Sequence, residues 1–229
     1  MQSALITGGA RGIGRVVAQE LARGGTRVIL GVRDLRRGRR AAAEMGGDAE
    51  AVELDVASEA SIRACAARLA EPLDLLVNNA GLYLEPPAVL WPVNVRGPIL
   101  LTRALEPALA ADARVVNVTS GLGRLSSQPA ALQKRLADPS LTIDDLLALP
   151  PASYGPSKAV LNAFTRLLAR AWPGRAVNAV SPGWVKSDMG GAGAPRELAD
   201  GAESILLCCR IAPGGPTGRV FEDGREIGF

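Results

Sequence analysis

Short apolar runs and longer amphipathic stretches alternate along nearly the whole chain, and this alternation constrains the fold more than any other feature. The apolar runs fall at residues 2–7, 27–30, 51–54, 73–77, 114–118, 175–180 and 218–221. The helical stretches fall at 13–22, 35–45, 59–69, 153–171 and 195–209. Ser58 reads as an N-cap, with Glu59 in the first turn behind it. Repeated strand–helix order predicts a mainly parallel sheet covered by helices on both faces.

The 229 residues suffice for one such domain with a continuous core. No linker or repeat divides them, so residues 1–229 read as a single domain. Residues 121–151 interrupt the alternation and contain Pro129, Pro139, Pro150 and Pro151. This stretch reads as an insertion beside the site, with short helices at 130–136 and 143–149. Aromatic residues make up only 3% of the chain, so the core must come from Ala, Leu, Val and Ile.

Histidine is absent, which excludes His-based triads and His-ligated metals; no metal site is expected. The net charge of +3 is too small to argue for nucleic acid or a membrane surface. Arg33, Arg36, Arg37, Arg39 and Arg40 scatter around a helix with no interleaved aromatics, which fits a solvated face. Cys65, Cys208 and Cys209 form no C-x-x-C pair and read as reduced, buried thiols of a cytoplasmic protein. The apolar stretch at 98–101 is broken by Arg103 and Glu106, far short of the roughly 20 residues a membrane helix needs.

Thr7-Gly8-Gly9-Ala10-Arg11-Gly12-Ile13-Gly14 follows a strand and opens a helix. Glycine permits the tight turn and close approach of the backbone to a pyrophosphate. The helix N-terminus offers free N–H groups and the positive end of its dipole. No Gly-Lys-Ser/Thr follows, so a Walker-type loop is excluded.

Tyr154 and Lys158 stand four residues apart, a spacing that puts a phenol and an ammonium on one helix face. A nearby ammonium favours the phenolate, so Lys158 is expected to lower the Tyr154 pKa toward neutrality. A tyrosine tuned that way can exchange a proton with a substrate oxygen.

The loop spacing T-G-x-x-x-G-x-G resembles that of the short-chain dehydrogenase/reductase family. Asn78-Asn79-Ala80-Gly81 is similar to the family's N-N-A-G motif. Asn94, Ser120, Tyr154 and Lys158 match its catalytic tetrad, and Ser181-Pro182-Gly183 its P-G turn beside the nicotinamide. Val32-Arg33-Asp34, the insertion, and the segment 182–189 resemble the carbonyl-reductase branch, in which the insertion is associated with a monomer. The resemblance implies a Rossmann-type α/β domain with a seven-stranded, mainly parallel sheet in the order 3-2-1-4-5-6-7.

It also implies cofactor contacts from Gly8, Arg11, Gly12, Ile13, Gly14, Arg33, Asp55, Val56, Asn79, Ala80, Gly81, Tyr154, Lys158, Pro182, Gly183, Val185 and Ser187. Asp55 would accept from the adenine amine, and Val185 and Ser187 would contact the carboxamide. Two counts bear on the ribose end. About 20 residues beyond the last glycine stands Asp34, which suggests NAD(H). Counting from the strand end instead aligns the family's NAD-selecting acid with Val32 and its NADP-selecting arginine with Arg33. The strand end fixes the geometry, so Arg33 and Arg11 are expected to hold a 2′-phosphate, placing NADP(H) ahead of NAD(H).

The implied chemistry is NADPH-dependent reduction of a ketone, aldehyde or quinone. Tyr154 is the general acid, Lys158 tunes it and holds the ribose, Ser120 binds the substrate oxygen, and Asn94 holds a water linking Lys158 to solvent. Two alternatives stand beside it: a biosynthetic ketoreductase or alcohol dehydrogenase with a dedicated substrate, and a non-catalytic dinucleotide sensor. Gly81 and Asn94 are 13 positions apart, about ten fewer than is usual in the family. Pro86, Pro87 and Pro92 are expected to break any long helix there and open that side of the site. Tyr83, residues 121–125, the insertion and residues 184–193 should face a small-molecule substrate.

Overall fold

In the computed structural model, which describes residues 2–69 and 71–229, each apolar run becomes a strand. The strands are β1 (Ser3–Thr7), β2 (Arg27–Val32), β3 (Ala49–Glu53), β4 (Leu73–Asn78), β5 (Leu109–Val118), β6 (Ala176–Ser181), β7 (Val220–Glu222) and β8 (Arg225–Glu226). They form one sheet in the order β3-β2-β1-β4-β5-β6-β7-β8, parallel except for the last pair. The order is the expected one, with one strand more. Asp223 and Gly224, both at positive φ (51° and 72°), turn the chain into a tight hairpin that adds β8. The added start of β5 pairs irregularly, and regular register with β4 begins at Arg114.

The helices are α1 (Gly12–Arg23), α2 (Leu35–Met45), α3 (Glu59–Arg68), α4 (Pro87–Trp91), α5 (Gly97–Leu105), α6 (Ala130–Ala137), α7 (Ile143–Ala148), α8 (Tyr154–Ala171) and α9 (Leu198–Cys209). Ser58 caps α3 by accepting from Ser61 N–H. Because strand side chains alternate between faces, the sheet builds two cores. Ala4, Ile6, Val28 and Leu30 pack with α1, α2 and α9 on one face. Leu5, Ile29, Leu76 and Val115 pack with α3, α5 and α8 on the other. Leu136 of α6 and Leu146 of α7 are fully buried in this second core, so the insertion is continuous with the domain.

The prolines do not break the helix before β5. Pro87 takes the first turn of α4, where a missing N–H costs nothing. Pro92 sits where the helix widens into a π turn over Pro92–Arg96, and the Gly97 N–H reaches back five residues to the Pro92 carbonyl. Trp91, Pro92, Arg96 and Gly97 all keep right-handed helical dihedrals, so α5 continues directly from α4. The short segment therefore still delivers Asn94, now inside the widened turn.

Candidate active site

The strand order reverses between β1 and β4, and in sheets of this kind ligands bind in the crevice at that reversal. The glycine loop enters the crevice from β1, and Asn79-Ala80-Gly81 from β4. Thr7 joins the two, its hydroxyl accepting from the backbone N–H groups of Asn79 (3.0 Å) and Ala80 (2.9 Å). The Asn79 side-chain amide donates to the Thr7 carbonyl at 2.8 Å. Sequence reasoning gave Thr7 only a place in the motif; its role here is to lock the loop to the neighbouring strand.

The start of α1 suits a phosphate. Arg11 is its N-cap residue and makes no side-chain capping bond, and the first turn holds no acid. Gly12, at φ +55°, has nothing within 4 Å of where a Cβ would stand, so open space borders uncapped N–H groups. The residues present thus fit the pyrophosphate of a dinucleotide.

At the ribose end, Asp34 is spent as the N-cap of α2, its carboxylate accepting from Arg37 N–H at 3.0 Å. Val32 ends β2 buried, and Arg33 beyond it is exposed. Arg11 pairs with Asp188 at 3.1 Å across the crevice, both side chains being largely exposed. Asp55 accepts from Ala57 N–H at 2.9 Å and is half-buried beside buried Val56.

On the far side, Pro182 and Val185 are buried and Gly183 turns at φ +74° beneath the Arg196 side chain. Ser187 is half-buried and accepts from Gly190 N–H at 3.0 Å. Trp184 and Met189 stay exposed at the mouth, together with Tyr83, Leu84 and Leu122. Trp184 is anchored by its indole N–H, which donates to the Gly190 carbonyl at 2.9 Å.

Ser120, Asn94, Tyr154 and Lys158 come together beyond the ends of β4 and β5. Ser120 caps a 3₁₀ turn over Gly121–Gly123, its hydroxyl accepting from Leu122 N–H. That turn is held by buried amides: Gln128 donates to the Leu122 and Arg124 carbonyls, and Asn162 to that of Gly123. Lys158 is 4% exposed, and its ammonium donates to the Val118 carbonyl at 2.9 Å. Gly81 passes between neighbours: a Cβ there would stand 3.5 Å from Asn94 Oδ1 and 3.7 Å from Lys158 Nζ. The Asn94 amide accepts from Leu82 N–H and donates to the Leu82 carbonyl and the Ser157 hydroxyl. Asn78, behind the site, donates to Thr102 and Asn117.

The electrostatics differ from the sequence expectation in one respect. Tyr154 is raised above the ordinary phenol value, not lowered. Burial is the largest cause; the Ser120 hydroxyl, within hydrogen-bonding reach, opposes it, and Tyr83 adds to it. Lys158 stands 5.6 Å from the Tyr154 ring centroid with its ammonium turned to the Val118 carbonyl, and it is not among the causes of the shift. Burial pushes Lys158 itself down to about 8.

The profile of the short chain dehydrogenase family matches residues 2–131. The chain belongs to that family. A carbonyl reductase [NADPH] 3 from Rattus norvegicus is 31% identical, with 96% of this chain and 95% of that protein covered. A sorbitol dehydrogenase from Cereibacter sphaeroides is 39% identical over 138 residues, a match spanning 54% of each chain. Among solved structures, salutaridine reductase from Papaver somniferum superposes with a TM-score of 0.86 at 25% identity, covering 96% of this chain and 99% of that one. The protein is therefore an oxidoreductase of the short-chain type. Among the described residues no helix is long and apolar enough to cross a membrane.

Proposed function

We propose that this enzyme reduces a ketone, aldehyde or quinone carbonyl to an alcohol with NADPH. The convergence of Ser120, Tyr154 and Lys158 at the crevice carries the reading. NADPH, when bound, supplies the hydride. Ser120 donates a hydrogen bond to the substrate oxygen and stabilises the negative charge that develops there. Tyr154 gives that oxygen its proton, and Lys158 keeps a positive charge beside the phenol as the proton leaves. A raised phenol pKa supports the reductive direction, because Tyr154 then stays protonated, ready to donate, across neutral pH.

Proton return runs from Lys158 toward a water held at the Asn94 carbonyl. The residue four positions beyond Asn94 is Pro98, which has no N–H to give that carbonyl. Arg33, exposed and free of any ion pair among the described residues, and Arg11 hold the 2′-phosphate. The bulky apolar side chains at the mouth favour an apolar substrate. Arrival of Asn94 in the site despite the short segment weighs against the sensor alternative.

The enzyme is proposed to be monomeric, because the insertion packs its helices on α8 and α7 also reaches α5 through an Arg103–Asp144 ion pair at 2.7 Å. Sedimentation as a tight dimer would contradict that. The reductase reading is tested by following NADPH and NADH oxidation against a panel of aldehydes, ketones and quinones. Turnover with NADPH preferred is expected; cofactor binding with no turnover on any member would count against it.

A further inference from the structure

Tyr83 and Tyr154 are the only two tyrosines of the chain, and they touch. Their ring centroids are 4.8 Å apart with the planes at 75°, an edge-to-face contact. Tyr83 is fixed on both sides along the chain. Before it, both backbone groups of Leu82 are bonded to the Asn94 side chain, at 2.8 and 3.0 Å. After it, Leu84 is held at φ +57°, a left-handed conformation rare for leucine, with its side chain 82% exposed. Strain that gains no burial persists only where the surroundings over-determine it. Here it holds the neighbouring ring against Tyr154.

Three groups act on the Tyr154 phenol from the elements around it. The Ser120 hydroxyl faces it from the end of β5, the Lys158 ammonium from its own helix, and the Tyr83 ring from the loop between β4 and α4.

We propose that Tyr83 is a positioning residue for Tyr154: it fixes the ring edge-on and closes one side of the phenol to water. The contact depends on Asn94 through Leu82, which ties the length of the short segment to the orientation of the acid.

The test uses nuclear magnetic resonance of the full chain carrying isotope-labelled tyrosine, with Tyr83→Phe, Tyr83→Ala and Tyr154→Phe as variants. Each variant leaves one tyrosine, which assigns both signals. At neutral pH the Tyr154 signal should shift in Tyr83→Ala and stay near its native position in Tyr83→Phe, which keeps the ring. A Tyr154 signal unchanged in Tyr83→Ala at neutral pH would overturn the proposal. The kinetic consequence rests on the reductase reading: Tyr83→Ala should lower kcat roughly tenfold, and Tyr83→Phe should restore it to within about twofold. The resonance measurement needs no substrate, so its failure is distinguishable from failure of that reading.

Discussion

The Asn79 amide occupies the space that a side chain at position 14 would need. A Cβ on Gly14 would lie 2.3 Å from Asn79 Nδ2, which donates to the Thr7 carbonyl. Gly14→Ala must therefore displace the bond that locks the glycine loop to β4. It should destabilise the fold by about 1–3 kcal/mol. Gly12→Ala meets no atom but forces alanine to φ +55°, at roughly 1–2 kcal/mol. Its methyl projects into the open phosphate space, so it should weaken nucleotide binding far more than Gly14→Ala does per unit of stability lost. Thermal unfolding and nucleotide titration of both variants check this. Equal ratios in the two would refute the assignment of Gly12 to the phosphate.

Lys158 makes stability depend on pH in a defined window. Below about pH 8 the lysine is charged in both folded and unfolded chains, and the cost of burying it is fully present. Between about 8 and 10.5 the folded chain has lost a proton that the unfolded chain still holds, so stability rises with pH. Lys158→Met should abolish that rise. At neutral pH it should unfold no more easily than the native chain, and could gain on the order of 3 kcal/mol, while turnover collapses. Denaturant unfolding of both proteins across this window measures the difference, which should shrink as pH increases; a constant difference would contradict the burial argument.

Arg33 and Asp34 make opposite predictions. Arg33→Ala should weaken NADPH binding about ten- to a hundredfold and leave NADH within about twofold, since it removes a charged partner of the 2′-phosphate alone. Asp34→Ala should cost about 1 kcal/mol of stability through loss of the α2 cap, with no change in cofactor preference. Loss of NADH binding in Asp34→Ala would return the ribose contact to Asp34.

The strands and helices, the glycine loop and the Ser58 cap were legible because each rests on local chemistry: alternation, a turn before a helix, and a hydroxyl before an amphipathic run. The strand order, a non-local property, came through the family resemblance alone. The β8 hairpin had its own signal in Asp223-Gly224, the dipeptide suited to a tight turn between strands, but its two residues are too short to show alternation. The continuous helix across Pro92 was not legible. Its solution, a π turn at Asn94, depends on tertiary contacts with Leu82 and Ser157 that no local pattern encodes. The Tyr154 shift was misjudged for a similar reason. Four-residue spacing places Lys158 near the ring, but only the fold shows its ammonium committed to the Val118 carbonyl and the phenol raised by burial.

The central claim is that Tyr154 delivers the proton. Tyr154→Phe keeps the ring and its contact with Tyr83 while removing the donor, so the measurement is NADPH oxidation by native and variant enzyme on the best carbonyl found, with NADPH affinity determined in parallel. The account predicts a loss of kcat of roughly a hundredfold or more with affinity nearly unchanged; turnover equal to that of the native enzyme would contradict it.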